Sequence, residues 1–115
     1  MKGIKHDDEK VPLDLLPFDA LLEIAKVYQY GAQKYARRNW EDGMRWGRMY
    51  AALHRHMWAW WEGENKDKET DLSHLIHASF CLLSLVAYEL RRAGEDDRPL
   101  KPSRTGLKKL LSKLK

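Results

Sequence analysis

The sequence predicts an all-α protein built from three main helices. Apolar residues recur every three or four positions in three separate segments of this 115-residue chain, and no segment shows the alternation typical of a strand. Stretches of polar residues and glycine separate the three segments. Hydrophobic residues make up 43% of the chain, which is typical of a globular protein rather than a disordered one. A chain of this length is expected to form one domain with a modest core.

The first helix is preceded by a polar N-terminal arm. Residues 1–16 carry clustered charges and are expected to be extended. Pro17 suits the first turn of a helix, and Asp19 complements the helix dipole there. The apolar spacing then predicts a helix over residues 17–37.

The second helix is expected over residues 44–62, after a turn at residues 39–43. Four of the five tryptophans lie on it, which indicates that this helix packs against several surfaces. A partner subunit is one candidate for such a surface. These tryptophans are Trp46, Trp58, Trp60 and Trp61.

The third helix is expected over residues 71–93, with Thr70 as its N-cap and Asp71 in its first turn. It is apolar nearly all round, which is typical of a helix at the centre of a fold. Cys81, the only cysteine, lies on this helix and is expected to be a small core residue. A single cysteine excludes an intrachain disulfide and a cysteine-based zinc cluster.

Charge divides the chain into a body and a basic tail. We expect a helical domain over residues 1–93, followed by a polar linker and tail over residues 94–115. The last fifteen residues carry six Lys or Arg and no acid, whereas the body has 15 basic and 17 acidic residues. Only the tail is therefore a candidate for nucleic-acid binding, and docking on a subunit or a membrane surface is left open.

The chain lacks the pattern of a secretory signal peptide at its N-terminus. No apolar run approaches the ~20 residues that span a bilayer. A cytoplasmic protein without a membrane partner is expected.

Histidines and carboxylates cluster where the second and third helices meet. His74 and His77 are three residues apart and share one helical face, and Asp71 extends that line. The second helix runs back antiparallel, which brings His56 opposite them. The loop between the helices adds the carboxylates of Glu64, Asp67 and Glu69.

Imidazole and carboxylate ligands together suit Mn²⁺, Fe²⁺ or Zn²⁺, and carboxylates with water suit Mg²⁺. The cluster therefore predicts a metal or phosphate site, with a buried hydrogen-bonded histidine cluster as the alternative. Arg48 and Arg55 flank His56 and are candidates for phosphate contacts. Glu23 and Lys34 lie on one half-apolar line of the first helix. They are either site residues or solvated side chains beside the core stripe.

Several short motifs resemble, in the same order, a known family of phage enzymes. They are Gly3-x-Lys5-x-Asp7-x-x-Lys10-x-Pro12-x-x-Leu15-Leu16-Pro17, Ala20-Leu21-x-Glu23-x-Ala25, Tyr30-Gly31-Ala32-x-Lys34-Tyr35, Asn39-Trp40, Arg55-His56, Gly63-Glu64-x-x-Asp67-x-Glu69 and His74-Leu75-x-His77-Ala78. As a set they resemble the phage dATP/dGTP diphosphohydrolase family, a branch of the all-α MazG-like nucleotide pyrophosphohydrolases. The resemblance covers most of residues 3–90 and excludes the basic tail.

The resemblance implies a MazG-like helical bundle that hydrolyses a purine deoxynucleoside triphosphate, dGTP or dATP, to monophosphate and pyrophosphate. It implies Mg²⁺ or Mn²⁺ as cofactor and a role in adjusting the nucleotide pool of a host cell. One departure is visible. The Glu-Glu-x-x-Glu line of MazG-like enzymes at large is absent, and His74-x-x-His77 stands where Glu-x-x-Asp is expected.

Pattern and resemblance together give a set of candidate site residues in a homo-oligomeric enzyme. The candidate metal ligands are His56, Glu64, Asp67, His74, His77 and Glu23. The candidate catalytic carboxylates are Glu64, Asp67 and Glu69. The candidate substrate-binding residues are Lys34, Arg55, Trp40 and Trp46. The rival interpretations are a non-enzymatic helical adaptor that binds protein or nucleic acid, and a zinc hydrolase acting on another substrate.

Overall fold

The computed structural model describes residues 3–6, 8–99 and 110–114, and it is all-helical. Its main helices are α1 (Phe18–Lys34), α2 (Trp46–Trp61) and α3 (His74–Arg91). Within the described residues the β-type pairings are two isolated bridges, Arg45 with Glu95 and Lys66 with Ser73. The predicted all-α class and the three main helices are therefore confirmed.

Helix α3 lies at the centre, as its apolar character predicts, and both α1 and α2 pack against it. The core cluster includes Met49 of α2 together with Cys81 and Tyr88 of α3. The Tyr88 hydroxyl donates to the Trp40 carbonyl at 2.6 Å and so fixes the turn between α1 and α2. Cys81 is buried, and burial raises the pKa of its thiol to about 11, which confirms a core residue rather than a nucleophile.

Helix α1 ends at Lys34, three residues before the predicted end. Tyr35 leaves the helix with φ −119° and ψ −133°, while its N–H still donates to the Gly31 carbonyl at 2.9 Å. A short 3₁₀ helix, Asn39–Asp42, then turns the chain toward α2.

The start of α3 corrects the sequence-based prediction. The N-cap is Ser73, whose hydroxyl accepts from the Leu75 N–H at 3.1 Å, and not Thr70. The Asp67 N–H donates to the Leu72 carbonyl at 2.8 Å, which holds the preceding residues in a loop. Asp71 is therefore outside the helix, with φ 60° and an exposed side chain 3.8 Å from Lys66, and does not extend the His74–His77 line.

The chain after α3 returns to the beginning of α2 rather than starting a free linker. The Glu95 carbonyl accepts from the Trp46 N–H at 2.9 Å, and the Asp97 carboxylate accepts from the Gly47 N–H at 2.8 Å. These contacts satisfy N–H groups that the first turn of a helix leaves unpaired. The division at residue 93 stays a prediction, and most of the basic tail lies outside the described residues.

Large apolar side chains remain exposed on the outer faces of the helices. On α1 and α3 they include Phe18, Leu22, Leu82, Leu83, Val86 and Leu90. On α2 they include Trp58 and Trp61, which are 68% and 81% exposed. In the part of the chain that the structure describes, no helix combines the length and apolar character needed to cross a membrane.

Candidate metal centre

Three predicted ligands converge at the junction of α2 and α3. One potential ligand atom from each of His56, Asp67 and His74 lies within 4.8 Å of the others. His56 stands near the end of α2 and His74 begins α3, and their Nδ1 atoms are 2.9 Å apart. The antiparallel arrangement predicted for these helices is what brings the two rings together.

His77 completes the histidine cluster but points to a different partner. Its ring stacks on His56 with centroids 4.6 Å apart and planes 12° from parallel. Its Nε2 is 2.6 Å from the Thr70 hydroxyl. Because that nitrogen is already engaged, the geometry supports His77 as a residue that positions His56 rather than as a direct ligand.

The surroundings of His56 and His77 keep these two imidazoles neutral. Burial, together with the neighbouring His77 and His74, lowers the pKa of His56 to about 4. Burial also lowers the pKa of His77 below its usual range, although the nearby Asp67 opposes the shift. Neutral imidazole is the form that binds metal ions, so the site is prepared for a cation at neutral pH.

The Asp67 carboxylate is held in place by the residues directly after it in the loop. Burial alone would raise its pKa, but the N–H groups of Thr70 and Glu69 donate to its Oδ1 at 3.0 and 2.9 Å. The net effect lowers the pKa of Asp67 and fixes the carboxylate as an anion. Thr70 therefore contacts both Asp67 and His77, and links a carboxylate to the imidazole cluster.

One buried atom of the cluster lacks a partner among the described residues. His74 Nε2 is buried and has no hydrogen-bond partner among them. The nearest charged atom, Glu64 Oε1, is 3.6 Å away, beyond hydrogen-bond distance. A buried polar atom without a partner costs ~1–3 kcal/mol, and a cation bound to this nitrogen would remove that cost. The residues present therefore fit a divalent metal ion.

Glu69 faces a second group of polar residues on α1. The Lys34 ammonium donates to the Glu69 carboxylate at 3.0 Å, and the Tyr30 hydroxyl donates to it at 2.5 Å. These two hydrogen bonds lower the pKa of Glu69. Lys34 and Glu69 are both predicted site residues, and the structure brings them together as an ion pair.

The remaining predicted residues lie at different distances from the centre. Arg55 precedes His56 on α2, whereas Glu23 pairs with Lys26 on α1 at 2.9 Å. Trp40 packs against Tyr28 in the core, with ring centroids 5.2 Å apart. Trp46 donates its indole N–H to the Ala93 carbonyl at 2.9 Å, and the Arg98 guanidinium lies over its ring. Both tryptophans thus have structural contacts within the chain.

Thr70 and Tyr30 contact candidate site residues, although neither was itself predicted as a site residue. The pattern predicts Thr70 as a helix cap, but its hydroxyl reaches His77 because the helix begins four residues later. Tyr30 lies four residues before Lys34, and this spacing is a signal that both side chains share one face of α1.

The helical fold and the imidazole and carboxylate groups at one helix junction define an all-α protein with a candidate metal centre. Comparison with known proteins specifies the family. Residues 1–98 match the model of the family described as dATP/dGTP diphosphohydrolase, N-terminal, and the chain belongs to this family. The predicted resemblance is therefore confirmed.

A relative from Salmonella phage PMBT28 is named dATP/dGTP diphosphohydrolase. It is 37% identical over 98 residues, which cover 85% of this chain and 33% of the relative. The chain thus spans about a third of the length of the relative that it matches. No solved structure matches this chain.

Proposed function

We propose that this chain carries a metal-dependent site for hydrolysis of purine deoxynucleoside triphosphates to monophosphate and pyrophosphate. The observation that carries the proposal is the convergence of His56, Asp67 and His74 in a chain of this family. The name of the phage relative supports dGTP and dATP as substrates. The reaction would adjust the deoxynucleotide pool of the host cytoplasm.

The cofactor proposed is Mn²⁺, with Mg²⁺ as the second candidate. Two imidazole nitrogens beside a carboxylate suit Mn²⁺ better than Mg²⁺, which prefers oxygen ligands and water. His56, His74 and Asp67 would hold the ion. When bound, it neutralises phosphate oxygens and lowers the pKa of a water molecule near the phosphorus.

Among the three candidate catalytic carboxylates, Glu64 is best placed to accept a proton from water. Asp67 is held by backbone donors, and Glu69 is paired with Lys34 and Tyr30. Glu64 is partly exposed and faces only His74 at 3.6 Å within the described residues. A carboxylate that borders the ligands and remains free to accept a proton has the properties of a general base.

The test of this function is turnover of dGTP and dATP with Mn²⁺ or Mg²⁺, with the products identified. We expect monophosphate and pyrophosphate in equal amounts. Glu64→Gln should lower kcat by about 10²–10⁴-fold, since a general base contributes about that much to the rate. Glu62→Gln is a matched control, because Glu62 accepts from the Trp58 indole on the outer surface.

We also propose that the enzyme is a homo-oligomer. Leu22, Leu83 and Leu90 are exposed beside an open groove of about 990 Å³ between α1 and α3. A contiguous apolar face of this kind favours burial against a second copy. Light scattering at micromolar concentration should give a mass of two or more chains, and a monodisperse monomer would contradict it.

The rival function, a non-enzymatic adaptor, is favoured by the exposed indoles of Trp58 and Trp61. Aromatic side chains of this kind are common in protein interfaces. The two functions are separated by turnover, because an adaptor would leave dGTP intact in the presence of either metal.

A further inference from the structure

A cavity of about 290 Å³ lies between α1 and α2. It forms because both helices pack on α3 and leave a cleft between them, lined on the α3 side by Phe80. Its volume is just below the ~300–1,000 Å³ typical of small-molecule sites. None of the residues assigned to hold the metal lines this cavity.

The charge of the cavity is entirely positive. Arg37, Arg48 and Arg55 line it, and no carboxylate does. Among the described residues none of the three makes an ion pair, whereas Arg38, Arg45, Arg91 and Arg98 all do. Three unpaired guanidinium groups around one small cavity repel each other, so an anion bound there would be stabilised.

Gly31 adds a second, independent observation. It lies inside α1 and lines the cavity, although glycine in a helix interior is less stable than alanine. Its φ is not positive, and a Cβ at this position would meet no atom within 4 Å. Neither backbone conformation nor close packing therefore requires glycine. What its missing side chain provides is open space inside the cavity.

Two residues that line the cavity are sequence neighbours of candidate site residues. Arg55 lines the cavity and is followed directly by His56 of the centre. Tyr35 also lines the cavity, and the Lys34 ammonium that pairs with Glu69 lies 5.5 Å from the Tyr35 ring centroid. The charge of Arg55 also contributes to the lowered pKa of His56, so this guanidinium lies within electrostatic range of the centre.

We propose that this cavity binds the polyphosphate chain of the substrate through Arg37, Arg48 and Arg55. The assignment rests on the proposed function for the choice of a nucleoside triphosphate. The ligand chemistry itself rests on the three guanidinium groups, which form paired hydrogen bonds with phosphate oxygens. Gly31 leaves room for that ligand beside α1.

The test measures binding of inorganic tripolyphosphate and of dGTP to the full chain in EDTA, so that neither metal nor turnover contributes. Arg48→Gln should weaken binding of both by about 10- to 100-fold, as expected for loss of a charged hydrogen bond. Arg45→Gln is the matched control, since Arg45 lies at the start of the same helix in an exposed pair with Glu95. It should change binding less than about twofold.

Gly31→Leu tests whether the open space of the cavity is needed for binding, and it leaves the three arginines unchanged. Leucine is a better helix former than glycine, so the variant should melt at the wild-type temperature or higher. It should nevertheless lose tripolyphosphate binding, because its side chain fills the cavity. Gln33→Leu places the same side chain on α1 outside this cavity and should retain binding.

Wild-type affinity for tripolyphosphate in folded Arg48→Gln and Gly31→Leu would overturn the assignment. If the wild type also hydrolyses dGTP and both variants keep its KM, the cavity assignment fails while the proposed function stands. If the wild type binds tripolyphosphate and the two variants do not, the assignment is supported even when no nucleotide is hydrolysed.

Discussion

His54 and His56 lie two residues apart on α2 but have different surroundings. His54 is exposed against Tyr50, with ring centroids 4.4 Å apart, and His56 contacts His74 and His77. We expect His56→Gln to lower Mn²⁺ affinity by at least ~10–100-fold, because a ligand is removed from the centre. Titration calorimetry on the folded variant measures this loss.

His54→Gln is the control for that prediction, since it makes the same chemical change on the same helix. It should bind Mn²⁺ with wild-type affinity. Equal affinities of wild type and His56→Gln would remove His56 from the proposed ligands.

The low pKa of His56 makes stability depend on pH in a defined direction. Between its folded pKa of about 4 and its ordinary value of 6.5, His56 binds fewer protons in the folded than in the unfolded state. The free energy of unfolding therefore rises with pH across this window. The part of it that neutral His56 contributes is lost as the pH falls from 6.5 toward 4. We expect the melting temperature of the metal-free protein to drop by about 5 °C or more from pH 7 to pH 5.

His56→Gln should weaken this pH dependence and leave the smaller part that comes from His77, because glutamine does not titrate. His54→Gln should leave the dependence intact. The gain in melting temperature from added Mn²⁺ should also shrink over the same pH range. A wild-type curve that is flat between pH 7 and pH 5 would contradict a neutral buried His56.

At the level of elements, Gly94 allows the chain after α3 to pack closely against the residues that precede α2. Its φ is 75°, and a Cβ there would clash with the Met44 carbonyl oxygen. Gly94→Ala should therefore destabilise the protein by ~2–4 kcal/mol through both strain and steric clash. Chemical denaturation measures the change.

Gly63→Ala separates the two causes. Gly63 also has a positive φ, 102°, but a Cβ there would meet nothing within 4 Å. Its substitution should cost only ~1 kcal/mol, from strain alone. Similar losses for both variants would show that the contact between Gly94 and Met44 contributes little.

The three helices were predictable because their stability comes from periodic apolar faces, which are visible in the sequence. The start of α3 was not, since it depends on pairing between Asp67 and Leu72 across the loop. A capping residue is recognised from the first few residues of the helix after it, and both Thr70 and Ser73 fit that pattern. The pairing of Asp67 with Leu72 and the contact of Thr70 with His77 decide between them.

The candidate site was partly predictable for the same reason. Spacing placed His74 and His77 on one face, and the antiparallel turn placed His56 opposite. The sequence could not tell that His77 faces Thr70 or that the Trp46 indole donates to the Ala93 carbonyl. These roles depend on side-chain directions that the helical period alone does not determine.

At the scale of the whole molecule, the tail is predicted to be separable from the site. Residues 1–98 match the family, and the contacts that complete α2 end at Asp97. Removing residues 101–115 should leave kcat/KM within about threefold and the melting temperature unchanged within about 2 °C. Any binding to DNA should fall and lose its salt dependence, because six basic residues are removed.

A folded truncation without activity would show instead that the tail completes the site, in the same or a neighbouring subunit. Analytical ultracentrifugation of both forms distinguishes a lost subunit contact from a direct effect on the site. Wild-type assembly with no turnover would assign the tail to the site itself.

In the proposed function, the histidine and carboxylate cluster holds a metal ion that the protein uses to hydrolyse a purine deoxynucleoside triphosphate. The most direct test measures dGTP turnover as Mn²⁺ is titrated into the metal-free protein, with His56→Gln and His54→Gln in parallel. We expect dGMP and pyrophosphate to form with wild type and His54→Gln at the same Mn²⁺ concentration. We expect His56→Gln to require at least ~10–100-fold more metal. Saturated Mn²⁺ binding without any dGTP hydrolysis, or turnover that is unaffected by loss of His56, would contradict the account.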